Sequence, residues 1–410
     1  MGGIIGYDLS DDAAQISVTV SAGESEEVHS VPVYAGSEKF VIPVAAYVFS
    51  DRDEILFGEE AVKADPAGGQ LFTGLLSGAV RGEQAVCKEK SFGYDELLAL
   101  YMRKTVHLSA LLTDYDDVEC LVVTIPEPDS ATIEVLEKAC DFLTEEGKTL
   151  RICGYPECFF YYAMNQDASL TRNKIVLFDY DGSVVKSMML YTRMDTRPHV
   201  SMVEERVFDM PEKADESFRG IARTVLDSEI VSAVYLSGEG FEGKWLTGSV
   251  GYLCERGRRV FQGRNLYTKG ACYKGIDDRD GNPQLKNCRF FDSDKVKAGV
   301  GIYVCVDGQE VYRSLIDAGT NWFEASKVTE FMLGEEREIR IRVASYFSRD
   351  ERISVIRTDS FPKRPDRCTR VRLEVKMKDA EDLICTAYDL GFGDIYASSG
   401  ESVTAAIELP

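Results

Sequence analysis

Histidine and paired cysteines are scarce in this sequence. Its 410 residues include three histidines, which lie far apart in the chain and have no motif around them. The 11 cysteines are an odd number, and no two of them form a C-x-x-C pair. This pattern is typical of reduced thiols in the cytosol, and it disfavours a disulfide framework, a zinc site or a Cys-His nucleophile. We therefore expect a cytoplasmic protein.

The sequence also lacks clusters of basic residues and long apolar runs. It has 69 acidic residues against 47 basic residues, which gives a formal net charge of −22. Because phosphate backbones and anionic lipids attract clustered cations, we expect neither nucleic acid nor a membrane as a partner. No apolar stretch reaches the roughly 18 residues of a spanning helix. The N-terminus has no basic region followed by an apolar run, so we expect no signal peptide.

Two segments, separated by the first half of the chain, repeat one pattern. Ile4 to Asp11 and Ile175 to Gly182 are each an apolar run closed by an aspartate, Asp8 or Asp179, before a tight turn and an alternating strand. Each segment predicts a β-hairpin with a carboxylate at its tip. Such a carboxylate needs hydrogen bonds or a cation, so the pair predicts a cation site between two related lobes. The alternative is an aspartate that only starts a polar turn.

The character of the chain changes twice along its length. Strands and helices alternate through residues 1–275, which predicts an α/β domain. Charged residues, Gly and Pro then interrupt the periodicity, and we interpret residues 276–296 as a linker. Short strands separated by turn signals fill residues 297–410 and predict an all-β sandwich.

Several short motifs occur in an order that resembles a known family. They are G-Y-D-L-S-D at 6–11, V-T-I-P at 123–126, D-Y-D-G-S at 179–183 and L-S-G-E-G at 236–240. In these motifs, and in the later strands at 301–316 and 373–383, the chain resembles the seventy-kilodalton heat-shock chaperones of the actin-like ATPase superfamily. The resemblance implies an actin-like ATPase-type fold, with duplicated lobes around a cleft, followed by a peptide-binding β-sandwich.

The resemblance also implies site residues and a cofactor. ATP or ADP with Mg²⁺ would bind in the cleft, with Asp8 and Asp179 as the metal ligands. The candidate nucleotide- and cation-binding residues are Asp8, Ser10, Asp11, Asp179, Asp181, Gly182, Ser183, Gly238, Glu239 and Gly240. A protein or peptide partner would bind the sandwich, where the candidate residues are Val304, Val306, Phe323 and Phe331.

The departures from the family pattern bear on the mechanism. Asp11 replaces a phosphate-binding Thr, Asp181 replaces a Gly, Tyr155 replaces a Glu that helps to hold the attacking water, and Val184 replaces a Thr. At about 4 Å and an effective dielectric near 20, one uncompensated carboxylate beside a phosphate costs on the order of 4 kcal/mol. We therefore expect a degenerate ATPase with weak or no ATP hydrolysis, which binds a partner through its β-sandwich.

Two other interpretations remain open. The motif D-Y-D-G-S at 179–183 matches the D-x-D-G-[ST] signature of haloacid-dehalogenase-type phosphatases. In a Mg²⁺-dependent phosphohydrolase of that type, Asp179 would attack phosphorus and Asp181 would act as general acid/base. The context differs, because the residues from Val184 alternate as a strand where a helix would be needed. The third possibility is a purely structural interaction scaffold.

Overall fold

The computed structural model describes residues 2–22, 25–283 and 285–410. The chain forms two compact units, Met1–Asp292 and Ser293–Pro410. The first unit mixes helices with several β-sheets, and the second consists mainly of strands. Mixed α/β structure followed by a β-rich region is what the sequence predicts. None of the helices in the described residues combines the length and the apolar character needed to cross a bilayer.

The first unit contains two large sheets and two small ones. Its strands are β1 (Gly3–Leu9), β2 (Ala13–Ala22), β3 (Ser25–Ser30), β4 (Ile42–Pro43), β5 (Ala45–Phe49), β6 (Ile55–Phe57), β7 (Gly69–Thr73), β8 (Gln84–Cys87), β9 (Lys90–Gly93), β10 (Val118–Ile125), β11 (Thr149–Gly154), β12 (Lys174–Tyr180), β13 (Val184–Arg193), β14 (His199–Asp209), β15 (Val231–Ser237), β16 (Arg259–Gln262) and β17 (Cys288–Phe291). Its helices are α1 (Glu59–Val62), α2 (Leu75–Val80), α3 (Tyr94–Val106), α4 (Ser130–Ala139), α5 (Asp141–Glu145), α6 (Tyr155–Met164), α7 (Asp215–Leu226), α8 (Ser249–Leu253) and α9 (Leu266–Asp280).

The two large sheets repeat one topology. The first has the strand order β11-β10-β1-β2-β3, with β4 beside β2, and the second has the order β16-β15-β12-β13-β14-β17. In each sheet an antiparallel hairpin, β1–β2 or β12–β13, is extended by a third antiparallel strand on one side. Two parallel strands extend it on the other side. The predicted hairpins are therefore present, and they occupy equivalent places.

Helices α6 and α9 join the two large sheets in one core. Ile4 of the first sheet and Leu177 of the second belong to one buried cluster with Phe159 of α6 and Ala271 of α9. Helix α9 follows β16 of the second sheet but packs against β1 and α6. Gly270 permits this close approach, because a Cβ there would lie 2.0 Å from the carbonyl oxygen of Cys158. Central strands covered on both faces explain the continuous apolar runs of β1 and β12.

The second unit consists of two four-stranded antiparallel sheets. Its strands are β18 (Ala298–Val306), β19 (Gln309–Ile316), β20 (Ser326–Met332), β21 (Glu338–Ser345), β22 (Glu351–Arg357), β23 (Arg370–Met377), β24 (Asp382–Gly391) and β25 (Ser402–Glu408). The sheet orders are β19-β18-β21-β22 and β20-β23-β24-β25. Alternate residues of β23 and β24 are buried, as the alternating sequence predicts for strands with one covered face.

The predicted linker at 276–296 differs from the structure. Helix α9 continues to Asp280, strand β17 pairs with β14, and the two units divide between Asp292 and Ser293. The charged residues that suggested a linker have partners inside the fold. Lys274 donates to both carboxylate oxygens of Asp278, and the hydroxyl of Tyr161 donates to Asp277. The helix ends at Gly281, which has a φ of 72°.

A buried ion pair connects the chain after β22 to the end of β24 in the second unit. The guanidinium of Arg364 donates to Oδ1 and Oδ2 of Asp389 at 2.6 and 2.8 Å, and both side chains are almost fully buried. The carboxylate also accepts hydrogen bonds from the backbone N–H groups of Gly391 and Ser399. Burial alone would raise the pKa of Asp389. The hydrogen bonds from Arg364, Ser399 and Gly391 outweigh that effect and hold the pKa well below its usual value.

Asp389→Asn is expected to destabilise the second unit by about 3–5 kcal/mol, because it leaves the guanidinium of Arg364 buried without a countercharge. Trp245 and Trp322 lie in different units, so a Trp245→Phe background makes fluorescence report the second unit during urea unfolding. The ion pair acts at neutral pH and is lost as the carboxylate protonates, so the difference should shrink below about pH 4.

Asp359→Asn is the matched control. Asp359 is exposed, and its substitution should change the free energy of unfolding by less than about 0.5 kcal/mol. An unfolding midpoint for Asp389→Asn equal to that of the control would contradict the assigned role of the ion pair.

Candidate functional site

The candidate site lies at the ends of the two repeated hairpins. Asp8 is near the end of β1 and pairs in register with Gln15, whereas Asp179 is near the end of β12 and pairs with Lys186. Both aspartates follow apolar residues of a central strand, and both are partly buried. The duplicated topology thus brings two carboxylates to equivalent places, as the sequence pattern predicts.

A pair of stacked tyrosines holds these carboxylates. The hydroxyl of Tyr155 donates to Oδ1 of Asp8 at 2.8 Å, and the hydroxyl of Tyr267 donates to Oδ2 of Asp179 at 2.7 Å. The two rings are stacked, with centroids 3.7 Å apart and planes inclined by 12°. We refer to Tyr155 and Tyr267 as the tyrosine pair. It connects the two aspartates through an unbroken chain of contacts.

The two tyrosines occupy equivalent positions in the repeat. Tyr155 is the first residue of α6, which directly follows the outer parallel strand of the first sheet. Tyr267 is the second residue of α9, which follows the outer parallel strand of the second sheet. Each sheet therefore supplies one aspartate from its central strand and one tyrosine from the helix that follows β11 or β16, the equivalent parallel strands of the two sheets.

Burial disfavours negative charge at this site. It raises the pKa of Asp8 to about 7; the hydrogen bond from Tyr155 opposes the rise and the charge of Asp179 adds to it. Burial also raises the pKa of Asp179, against the hydrogen bond from Tyr267 and the charge of Lys186. The pKa values of both tyrosines are raised by burial and by the nearby carboxylates. The tyrosines therefore stay protonated and act as donors.

The turn of the first hairpin is closed by its own residues. The backbone N–H of Ser10 donates to the carbonyl oxygen of Ala13 at 2.9 Å. The hydroxyl of Ser10 donates to the same oxygen at 3.0 Å. Oδ1 of Asp11 accepts a hydrogen bond from the backbone N–H of Ser77, at the start of α2. Ser10 and Asp11 are therefore already bonded within the protein.

The second turn is organised by Asp181. Its Oδ1 accepts hydrogen bonds from the N–H and hydroxyl of Ser183 and from the N–H of Val184, at 2.7, 2.9 and 2.8 Å. Burial opposes ionisation of Asp181, but these bonds lower its pKa. Gly182 has a φ of 104°, which the turn requires and which L side chains rarely adopt. The carboxylate of Asp181 thus already binds the backbone N–H of Ser183, which is one of the candidate nucleotide-binding residues.

The loop after β15 lies against the Asp179 hairpin. Gly238 has a φ of 95°, and a Cβ there would lie 2.7 Å from Oδ1 of Asp179. A Cβ on Gly240 would lie 2.3 Å from the ring of Tyr180. Glu239 begins a short 3-10 turn, and its carbonyl oxygen accepts a hydrogen bond from Lys213. The structure therefore brings this predicted loop beside the second aspartate.

The tyrosine pair competes with a Mg²⁺ ion for one carboxylate oxygen of each aspartate. Mg²⁺ requires octahedral oxygen ligands, and each of these carboxylates faces a hydroxyl proton of the tyrosine pair. Across the described ranges, no group of three or more His, Cys, Asp or Glu residues is arranged to hold a metal ion. The hydrogen bond that satisfies each carboxylate comes from within the fold.

Tyr267 is the site residue that the sequence interpretation missed. An aromatic residue near the start of a helix normally indicates packing in the core, and Tyr267 is indeed buried. The available signal was the repeat itself, because Tyr155 and Tyr267 lie at the start of the helices that follow the equivalent strands β11 and β16. Aligning the two halves of the chain by their strands, rather than by their motifs, would have paired them.

The peptide-binding candidates lie in different parts of the second unit. Val304 and Val306 point to one face of β18, at the end of the β18–β19 hairpin. Phe323 lies between β19 and β20. Phe331 lies on β20, in the sheet that does not contain β18, and pairs in register with Val371 of β23. Val304, Phe323 and Phe331 are half-buried, and Val306 is exposed.

The end of the β18–β19 hairpin extends beyond its sheet. Strand β18 pairs with β21 only as far as Ile302, and residues 303–306 pair with β19 alone. We call residues 303–312 the hairpin tip. Its exposed apolar side chains are Tyr303, Val306, Val311 and Tyr312.

Asp8→Asn is expected to flatten the pH dependence of stability of the first unit. Since the pKa of Asp8 rises on folding from about 4 to about 7, the folded state binds the proton more tightly, and stability falls as pH rises across that window. Above about pH 7 the variant should be more stable than the parent by on the order of 1–4 kcal/mol. Urea unfolding followed through Trp245 in a Trp322→Phe background measures this difference.

The stability of the Asp8→Asn variant should still fall as pH rises, because the pKa of Asp179 is also raised. Asp12→Asn, at an exposed carboxylate of the same turn, is the control and should leave the pH profile unchanged. A parent protein whose stability rises between about pH 5 and pH 7 would contradict the assigned burial of Asp8.

Comparison with known protein families divides the chain at the boundary between its two units. Residues 295–409 match "Domain of unknown function (DUF8552)". No curated protein matches the chain. Residues 27–293, which are more than half of the chain, match "Family of unknown function (DUF5716) C-terminal". The chain therefore belongs to the family of unknown function DUF5716.

Proposed function

We propose that this chain is a chaperone-like binding protein of the cytoplasm, with a degenerate actin-like ATPase domain that hydrolyses ATP weakly or not at all. Its second unit would bind an extended segment of a protein partner. The observation that carries the proposal is the tyrosine pair, which satisfies both aspartates internally. The repeated strand order of the two large sheets supports the actin-like duplication.

Three features of the site oppose the binding of a magnesium nucleotide. The carboxylates of Asp8 and Asp179 accept hydrogen bonds from the tyrosine pair, and burial disfavours their ionised forms. The backbone N–H of Ser10 is bonded within its own turn. Asp11 and Asp181 are candidate nucleotide-binding residues, and their carboxylates would repel a polyphosphate.

The hairpin tip supports the proposal of a peptide site. Strand β19 is the edge strand of its sheet, so one side of its backbone has no strand partner among the described residues. Such an edge can accept an extended segment through main-chain hydrogen bonds, while apolar side chains on either face give specificity. Val306 and Val311 are 39% and 37% exposed, which leaves apolar surface beside that edge.

The phosphohydrolase alternative receives no specific support from the geometry. Asp181, its general acid/base, holds the turn through three hydrogen bonds to Oδ1. Asp179, its nucleophile, accepts a hydrogen bond from the buried Tyr267. The residues after the motif form strand β13. We therefore retain the phosphohydrolase only as an outcome of the experiment below.

Calorimetric titration of the full chain with ATP and Mg²⁺ is expected to give no binding tighter than about 1 mM, and no steady release of phosphate. Submicromolar binding with steady hydrolysis would contradict the proposal. Release of phosphate from small phosphomonoesters that is abolished by Asp179→Asn would establish the phosphohydrolase instead. Asp12→Asn is the control for both assays, because Asp12 is exposed.

Full-length protein is expected to bind unfolded apolar peptides with modest affinity in a fluorescence polarisation assay. Val306→Asp should weaken that binding by about tenfold or more, since it places an unpaired charge beside the bound segment. Val355→Asp is the matched control, because Val355 is 47% exposed on the opposite edge strand, β22. Equal effects of the two substitutions, or no binding to any peptide, would leave the second unit as a structural module.

A further inference from the structure

A cavity of about 650 Å³ lies at the end of the β12–β13 hairpin that is distant from Asp179. Its volume falls within the range of roughly 300–1,000 Å³ that is typical of small-molecule sites. Its walls come from the start of β12, the end of β13, the last residue of α6 and the connection from α7 to β15. Six of the lining residues are apolar or aromatic, namely Met164, Ile175, Leu190, Tyr191, Met194 and Ile230.

The base of this cavity rests on the folded core. Ile175 and Leu190 pair in register, and both belong to the buried cluster that joins the two large sheets. Met164, the last residue of α6, packs against the same cluster. The backbone N–H of Lys174 donates to the carbonyl oxygen of Ile230 at 3.2 Å, which ties β12 to the connection before β15. Regular structure therefore holds the cavity open, so a ligand has little order to impose when it binds.

The surface that a ligand can reach is apolar. Met164 and Tyr191 are half-buried and lie in α6 and β13. Met194 and Ile230 are 68% and 75% exposed, which are the highest fractions among the large apolar side chains described in the first unit. Single exposed apolar side chains are common, but these two line one concave site. A ligand that covers them removes apolar area from water.

Most polar groups of the lining already have partners within the fold. These contacts are the ion pair of Lys174 with Glu229 and the hydrogen bonds of Thr171 with the carbonyl oxygen of Ala168, of Asn173 with Ser232 and of Thr192 with Ser201. The other two polar residues, Arg172 and Ser228, are exposed, so water solvates them. The cavity therefore presents no buried charge in need of a counterion, and the net charge of −22 on the chain disfavours an anion.

The size of the apolar surface favours a small molecule over a protein partner. Stable protein interfaces bury roughly 1,200–2,000 Å² in total. Here the exposed polar residues Arg172, Asn173 and Ser228 lie beside the apolar ones and limit the extent of the apolar surface. A concave and mostly apolar site with few polar groups is typical of sites for small molecules.

We propose that this cavity binds a small uncharged apolar molecule, a compact ring system that contacts Met164, Tyr191, Met194 and Ile230. Methionine side chains are unbranched and adapt to the shape of a ligand, and their sulfur atoms make favourable contacts with aromatic rings. The aromatic ring of Tyr191 offers a further surface for a ring system. The inference is independent of the proposed function, because the cavity shares no residue with the tyrosine pair or with the hairpin tip.

N-phenylnaphthylamine is the probe, an uncharged fluorophore whose emission rises in apolar surroundings. When the full chain is titrated into it, the probe is expected to bind a single site more tightly than about 100 µM. Anilinonaphthalene sulfonate has the same ring system with an added negative charge. It should bind about tenfold more weakly or worse, because its sulfonate finds no buried cation without a partner.

Ile230→Asp and Met194→Asp should each weaken binding of N-phenylnaphthylamine by about tenfold or more, because each places a charge against an apolar ligand. Both side chains are exposed, so neither substitution removes a core contact, and thermal unfolding should confirm intact protein.

Val207→Asp is the matched control, because Val207 is 64% exposed on β14 of the same sheet and lies outside the cavity. Val306→Asp is the control for binding of the probe at the hairpin tip. Both substitutions should leave the affinity unchanged. The proposal is overturned if N-phenylnaphthylamine shows no saturable binding below about 100 µM, or if the sulfonate binds as tightly. It is also overturned if either control weakens binding as much as Ile230→Asp does.

Discussion

A carboxylate at the end of a buried strand needs a hydrogen-bond donor or a cation. In the first unit, a tyrosine hydroxyl is the donor to each of two such carboxylates. The hydroxyls of Tyr155 and Tyr267 satisfy Asp8 and Asp179, and the stacking of their rings joins the helices that follow the two sheets. The tyrosine pair therefore has a chemical role, because it supplies donors to two buried carboxylates, and a structural role, because its stacking holds α6 against α9.

The path of α9 makes that contact possible. This helix belongs by sequence to the second repeat, yet it packs against β1 of the first sheet. A Cβ on Gly6 would lie 2.0 Å from the carbonyl oxygen of Thr268, and the hydroxyl of Thr268 lies 2.7 Å from that of Ser17. Glycine and small polar residues let the helix approach the first sheet closely, and this approach places Tyr267 opposite Tyr155.

The sequence predicts the hairpins well because an apolar run closed by an aspartate and a turn has few other local interpretations. The sequence cannot predict that the hydroxyl of Tyr267 donates a hydrogen bond to Asp179, because these residues are 88 positions apart in the chain. The prediction of a linker at 276–296 differs from the structure for a related reason. Asp278 looks like a loop signal, but it lies in α9 and pairs with Lys274 one turn earlier. The contact that is distant in sequence is that of Lys274, a buried lysine, whose Nζ lies 3.9 Å from Oε1 of Glu157.

The tyrosine pair also limits how the first unit could respond to a ligand. Separating the two aspartates from their tyrosines would leave buried polar groups unpaired, at a cost of about 1–3 kcal/mol for each group. A ligand can shift a conformational equilibrium only by its differential affinity for the two states. A magnesium nucleotide would have to supply that difference while facing the carboxylates of Asp11 and Asp181, which oppose it. Under the proposed function, the tyrosine pair therefore holds the two large sheets in one arrangement. Partner binding by the second unit would then not depend on a nucleotide cycle.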